Sequence, residues 1–355
     1  MENIKHIKTS SNYRIEVGDL LQSSLGEYLG NKYKSSKKII IVDKNTQEKC
    51  LPYLLENFSD LHDAEIIVLP VGEENKIIEI CYHVWDALTS YQIQRKDIIL
   101  NLGGGVVTDM GGFIASVYKR GIDFINIPTT LLSIIDASVG GKTGVNLGLH
   151  KNQLGVFSVP ELTVCDPTFL ATLEMKEILS GRAEMAKHGL IADAALFQDM
   201  LNENEEIPSL ALIERAITIK TEIVDKDFKE EGERKKLNFG HTIGHAIEGF
   251  LLGEDIEITH GECVAWGMLV EAHLSTDFAG LSDEELKTIE GFVRSEYLDL
   301  PVNKIDFKEL LDLMQHDKKN QTEKINFTLL KQIGKAQINY ELDKTAVLVA
   351  LEKVF

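Results

Sequence analysis

Cations are scarce in this 355-residue sequence: 37 lysines and arginines stand against 56 aspartates and glutamates, a formal net charge of −19. Nucleic acid and anionic membrane both call for a basic face, so neither is an expected partner. An anionic small molecule is still accommodated wherever cations cluster locally. Long apolar runs are missing too. No stretch of 18 apolar residues occurs, which argues against a membrane-spanning helix, and the opening MENIKHIKTS lacks the apolar core of a signal peptide. A cytoplasmic location is therefore expected. Cysteine is sparse, and Cys50, Cys81, Cys165 and Cys263 form no Cys-x-x-Cys pair, so they read as reduced, buried thiols rather than disulfides or thiolate metal ligands. With seven prolines, 44% hydrophobic residues and no low-complexity run, disorder is excluded.

What is present is enough chain for two domains. Up to about Pro167, short β-branched runs alternate with helical stretches: Lys38–Val42, Glu65–Leu69, Asp97–Leu102 and Phe124–Ile127 read as buried strands. This alternation predicts an α/β N-terminal domain with a parallel sheet covered by helices, over residues 1–166. Residues 167–355 carry long amphipathic segments, Ala211–Phe228 and Leu237–Leu251 among them, with one late strand-like stretch at Lys324–Leu330. A mostly α-helical C-terminal domain is expected there.

The segment GGGVVTDMGG, residues 103–112, follows the strand ending at Leu102 and opens a helix. In that context glycines let backbone amides approach a pyrophosphate, although a tight strand-to-helix turn needs them as well. Asp43 and Asn45, at the end of an earlier strand, are placed either to hold a ribose hydroxyl or to cap a helix. Gly140-Gly141-Lys142-Thr143-Gly144 looks like a triphosphate-binding loop, but Asp136 occupies the position where that loop needs its first glycine. It reads as a glycine-rich turn presenting Lys142, followed by Lys151-Asn152.

Arg234, Asn238, His241 and His245 are spaced four, three and four apart, which predicts one helical face bearing all four. Gly240 and Gly244 beside them permit close approach. Glu184 and Lys187 share a second helical face, and His260-Gly261-Glu262 offers a further imidazole. One carboxylate and two imidazoles make a zinc-type ligand set with an open position. His188 competes with His260 for that role on sequence grounds and ranks below it.

Taken in order, Pro70-Val-Gly-Glu73-Glu-Asn-Lys76, GGGVVTD, Ile127-Pro-Thr-Thr-Leu-Leu, Asp136-Ala-Ser-Val-Gly-Gly-Lys142-Thr-Gly-Val-Asn, Lys151-Asn152, Ala183-Glu-Met-Ala-Lys187, LNFGHTIGHAIE, HGE and Asp317-Lys318-Lys319 resemble the dehydroquinate synthase family from Asp43 to about Gly334. The sequence departs from the family pattern at Thr108, where glycine is usual, and at Leu147-Gly-Leu-His150. The resemblance implies a dehydroquinate synthase-like fold with NAD held by Asp43, Asn45, Glu73, Lys76, Gly104, Gly105, Val106, Asp109, Thr129 and Thr130, and with Lys151, Phe169 and Thr172 nearby. It implies a divalent metal, zinc or cobalt, on Glu184, His241 and His260. Substrate contacts would come from Asp136, Lys142, Asn152, Lys187, Lys220, Arg234, Asn238, His245 and Lys318, and from Arg120 reaching across a homodimer. Glu230 and His245 match positions assigned to proton transfer.

The activity so implied is conversion of 3-deoxy-D-arabino-heptulosonate 7-phosphate, a phosphorylated keto acid, to 3-dehydroquinate and phosphate, in the shikimate pathway. Transient oxidation by NAD, phosphate elimination, re-reduction and an intramolecular aldol closure would return the cofactor unchanged. The local cations Lys142, Lys187, Lys220, Arg234 and Lys318 suit a substrate carrying both carboxylate and phosphate. Rival readings are a sugar-phosphate cyclase of the aminocyclitol or valiolone type, a metal-dependent alcohol dehydrogenase resembling glycerol dehydrogenase, and a non-enzymatic NAD-binding scaffold. The last would have no need of Glu184, His241 and His260.

Overall fold

The structure, a computed structural model, describes residues 4–10, 13–148, 150–254, 256–298, 300, 306–316 and 324–355. It divides into two compact units, Met1–Glu174 and Met175–Phe355. Among the described residues no helix is long and apolar enough to cross a membrane, and all four cysteines are free and buried.

The first unit is built on a seven-stranded sheet of β1 (Lys5–Lys8), β2 (Arg14–Val17), β3 (Lys38–Asp43), β4 (Glu65–Leu69), β5 (Ile98–Gly103), β6 (Asp123–Pro128) and β9 (Leu162–Cys165), in the order β1-β2-β9-β6-β5-β3-β4. Only β1 pairs antiparallel; the other neighbours are parallel. The run Ile39-Ile40-Ile41-Val42 shows why such a sheet needs cover on both sides. Ile39 and Ile41 enter one apolar cluster with Val107 and Ile114, while Ile40 and Val42 enter another with Leu54 and Phe169, as the two-residue period of a strand requires. Each fully buried Ile or Leu here contributes about 1.5–3 kcal/mol by leaving water. The segment Pro167–Thr172 belongs to this unit because Phe169 lies in its core.

β3 has β4 on one side and β5 on the other, so the chain runs outward from β3 to β4 and then crosses back over β3 to β5. Such a reversal opens a crevice at the carboxyl ends of the two strands. Asp43 and the glycine turn after Gly103 lie at those ends. A separate antiparallel hairpin, β7 (Lys142–Leu147) with β8 (His150–Phe157), completes the unit.

The second unit is mostly helical. Its centre is the helix His260–Phe278, buried nearly all round, with the helices Met175–Ala192 and His241–Gly253 packed on it. Two expectations need correction. The strand-like stretch at 324–330 is half of a hairpin, β10 (Ile325–Gln332) with β11 (Lys335–Leu342). The second strand, KAQINYEL, was hidden by its polar, largely exposed residues. More consequentially, residues 234–245 do not form one helix. Gly240 sits in the left-handed region (φ 80°) and ends the short helical turn Glu233–Asn238 before the helix His241–Gly253 begins. Arg234 and Asn238 therefore do not share a helical face with His241 and His245.

Candidate active site

In the second unit, three helices bring one carboxylate and two imidazoles together. Glu184 Oε1 lies 3.3 Å from His241 Nε2 and 3.4 Å from His260 Nε2. Close backbone contact makes this convergence possible. A Cβ on Gly261 would come within 2.2 Å of the Ser180 carbonyl oxygen, and one on Gly267 within 2.1 Å of the Gly240 carbonyl oxygen. Only glycine lets the His260 helix approach both neighbours so closely.

Each imidazole has its second nitrogen engaged. His241 Nδ1 is 3.2 Å from the Phe239 carbonyl oxygen, and His260 Nδ1 is 3.3 Å from Glu248 Oε2. Such partners orient a ring and leave Nε2 to ligate. His245 stands in the same cluster, and the ligand nitrogens of His241, His245 and His260 all lie within 4.8 Å of one another. This donor set suits a divalent ion that accepts nitrogen and carboxylate ligands. His188 is fully buried on the Met175–Ala192 helix.

The electrostatics centre on the buried Glu184 carboxylate, with Glu248 behind His260. Burial works to raise the Glu184 carboxyl, but Lys187, ion-paired with it one helical turn on, together with His241 and His260, holds it well below the ordinary range. His241 is lowered by burial and by Lys187. Burial also opposes charge on His260, yet its hydrogen bonds to Glu184 and Glu248 push it up to about 9.

Lys187, Lys220 and Arg234 are all buried in this unit. Arg234 donates from Nη1 to the Phe228 carbonyl at 2.7 Å, and the turn that presents it is tied by Asp227, which accepts from the Gly232 amide at 2.7 Å and the Arg234 amide at 3.0 Å. Asn238 Nδ2 donates to Glu230 Oε1 at 2.9 Å. A small pocket lined by Asn238, His241, His245, Lys235, Asn326 and Asn339 opens beside them. Glu262 serves its own helix, since its carboxylate and Thr259 cap the first turn reciprocally. Lys318 lies outside the described residues.

In the first unit, Gly104 and Gly105 begin the helix Gly105–Val117, whose start carries no side-chain cap. A 13-residue helix with open amides is a ready phosphate site, and the arrangement suits a dinucleotide. Thr129 and Thr130 border the turn: the Thr129 amide donates to the Gly103 carbonyl at 3.1 Å, and a Cβ on Gly104 would meet Thr130 Cγ2 at 3.0 Å. Thr108 Oγ1 bonds back to the Gly105 carbonyl at 3.2 Å and meets Ser133 Oγ at 3.3 Å, so the departure from glycine ties the turn down. Asp43 caps the helix Lys44–Lys49 through a reciprocal box with Thr46, with Asn45 on its first turn. Val106 is half-buried; Thr172 is exposed, and its hydroxyl donates to the Phe169 carbonyl. Phe169 itself is core, edge-on to Tyr53.

Lys76, though buried, donates from Nζ to Asp109 Oδ2 at 2.6 Å and to Asn152 Oδ1 at 2.7 Å, with Glu73 at 3.9 Å. Lys142 opens β7, Asp136 lies on the turn Ser133–Ala137, and Lys151 is on β8. Arg120 (φ 68°), Asn152 (φ 52°) and Glu230 (φ 62°) are non-glycine residues in the left-handed region. Backbone held this way costs about 1–3 kcal/mol per residue and gathers at functional positions. Glu248, Asn146 and Asp227 were missed from the sequence. Glu248 and Asn146 each close a quoted motif, and Glu248 also falls seven residues after His241 on the same helical face.

Comparison with known proteins places the chain in a family. The 3-dehydroquinate synthase N-terminal model matches residues 66–180, and the C-terminal model matches 181–320. A 3-dehydroquinate synthase of Parabacteroides distasonis is 40% identical over 96% of this chain and 98% of its own length. One from Alkaliphilus metalliredigens is 38% identical over 95% of both. Among solved structures, 2-epi-5-epi-valiolone synthase of Streptomyces hygroscopicus, with NAD+ and Zn2+ bound, aligns over 100% of this chain and 98% of its own, with TM-score 0.86 and 27% identity. A 2-deoxy-scyllo-inosose synthase shares the fold at TM-score 0.83 and 23% identity, over 99% of this chain and all of its own. With both family models matched in sequence order and such relatives aligned along nearly its whole length, the chain belongs to the 3-dehydroquinate synthase family.

Proposed function

We propose that this chain is a phosphate-eliminating carbon–oxygen lyase that converts 3-deoxy-D-arabino-heptulosonate 7-phosphate to 3-dehydroquinate and phosphate, acting as a cytoplasmic homodimer. The observation that carries the reading is Glu184 between His241 and His260, with the cations Lys187, Lys220 and Arg234 buried in the same unit. NAD, when bound, supplies reversible hydride acceptance, and a divalent ion, zinc or cobalt, supplies Lewis acidity toward the substrate oxygens.

The remaining chemistry belongs to side chains. Lys187, Lys220, Arg234 and Lys318 bind the anionic groups of the substrate, where a desolvated cation is worth more than an exposed one. Asn238 orients Glu230 through its amide, and Glu230 and His245 hold and move protons. Asp136, Lys142 and Asn152 complete the substrate contacts, and Arg120 reaches the phosphate bound by the partner subunit. Asp43, Asn45, Glu73, Lys76, Gly104, Gly105, Val106, Asp109, Thr129, Thr130 and Lys151 hold NAD, with Phe169 and Thr172 close by.

The test is phosphate release from 3-deoxy-D-arabino-heptulosonate 7-phosphate with catalytic NAD, before and after chelation, while absorbance follows NADH. Chelator-sensitive release with dehydroquinate formed and no net NADH is expected. Net NADH would point to a dehydrogenase. No release with NAD and metal both bound would point to a cyclase for a substrate without the carboxylate.

A further inference from the structure

We propose that Asn146 is a positioning residue that couples NAD binding to the placement of Asn152, so that cofactor and substrate each strengthen the other's binding. The proposal rests on the assignment of Glu73, Lys76 and Asp109 to NAD and of Asn152 to substrate.

Asn146 lies at the register shift between Val145 and Leu147 in the β7–β8 hairpin. An irregularity of this kind re-aims a side chain away from the regular ladder, and Asn146 is 8% exposed. Its backbone amide donates to the Lys76 carbonyl at 2.7 Å. Its side chain faces two ways. Nδ2 donates to Glu73 Oε1 at 3.0 Å and to the Glu73 carbonyl at 3.3 Å, while Oδ1 accepts from the Asn152 amide at 2.8 Å. That amide belongs to a residue held at φ 52°, a conformation that needs support from its surroundings. Asn152 Oδ1 then accepts from Lys76 Nζ, which also donates to Asp109.

Glu73, Asn146, Asn152, Lys76 and Asp109 thus form one connected chain of hydrogen bonds. A ligand that fixes Glu73 and Asp109 also fixes Asn146 and Lys76, and through both of them Asn152. By linkage, a substrate that engages Asn152 strengthens the hold on NAD by the same factor. An amide suits this junction because it donates to a carboxylate on one side and accepts from a backbone N–H on the other.

Steady-state kinetics of the holoenzyme test this with two substitutions and a double-mutant cycle. Asn146→Ala removes both bonds and should raise KM for NAD and KM for substrate about tenfold each, with kcat changed less. Asn146→Asp keeps the acceptor for the Asn152 amide but sets a carboxylate against Glu73, so KM for NAD should rise while KM for substrate stays near the wild-type value. Glu73→Ala should raise KM for substrate in the Asn146 background and leave it unchanged in the Asn146→Ala background. Additive effects of Glu73→Ala and Asn146→Ala on substrate KM would overturn the proposal, as would equal rises in both KM values for Asn146→Asp. Wild-type protein that forms no dehydroquinate would instead refute the functional reading beneath it.

Discussion

Glu271 Oε2 accepts a hydrogen bond from the Gly240 amide at 2.7 Å, so a carboxyl group on the central helix of the second unit closes the start of the helix that bears His241. Gly240 has no side chain with which to cap that helix, and helix starts leave amides unsatisfied. Burial pushes the Glu271 carboxyl from 4.5 up to about 8, against the pull of the Gly240, Ile243 and Thr242 amides. With the folded value above the unfolded one, the folded state keeps a proton that the unfolded chain has lost. This contribution to stability is therefore complete below about pH 4.5 and is lost as pH rises to about 8. The Tm of the wild type should fall relative to that of Glu271→Gln between pH 5 and 8.5. A constant difference across that range would contradict the raised value.

Removing the group altogether is a separate matter. Glu271→Ala would strand the Gly240 and Ile243 amides in the core, at a cost of about 1–3 kcal/mol for each buried group left unpaired. It would also loosen the start of the His241 helix. Calorimetry should show a lower Tm, and titration of the apoprotein with zinc should show weaker binding.

Glu248 holds His260 from behind through Nδ1. Losing such an outer partner typically lowers metal affinity about 10–100-fold. Competition against a chromophoric chelator should reveal that loss in Glu248→Ala, with NAD affinity unchanged. Unaltered metal affinity would mean that His260 is oriented by other contacts.

His241→Ala deletes one of the two nitrogens that face Glu184 Oε1. Elemental analysis after dialysis should find metal lost, while equilibrium dialysis finds NAD still bound. Full occupancy in this variant would remove His241 from the ligand set.

In the first unit, a Cβ on Gly111 would fall 1.9 Å from Asn101 Oδ1, and Asn101 is itself fixed to Asn126 at 2.9 Å across the sheet. Gly111→Ala must push the helix Gly105–Val117 off β5, and overpacking of this kind costs about 1–3 kcal/mol. Chemical denaturation should report that loss of stability, and NAD should bind more weakly because the helix start moves.

The strands and the Glu184, His241 and His260 cluster were readable because each was written in local pattern. The β-branched runs near Ile39 and Ile99 announced buried parallel strands, and Glu184, His241 and His260, each inside a dense motif, do come together in the structure. What escaped depended on the third dimension. The spacing of Arg234, Asn238, His241 and His245 suits one helix, but a single residue, Gly240, turns left-handed at a point where Met268 and Val264 leave no room for a Cβ, and no periodicity carries that information. The partners that give Asn146 and Glu271 their roles are Glu73 and Gly240, 73 and 31 residues away, so local pattern did not reveal them. A lone acid inside the apolar stretch VAWGMLVEAHL was the nearest thing to a clue.

The backbone contacts at Gly261 and Gly267 act as a jig for the triangle of Glu184, His241 and His260. Where helices touch main chain to main chain, their separation is set by atoms that every amino acid shares. Core volumes elsewhere in the unit can then drift between relatives without changing the span across Glu184, His241 and His260. The tolerance of the site is fixed where side chains are missing, and the rest of the interior is free to vary around it.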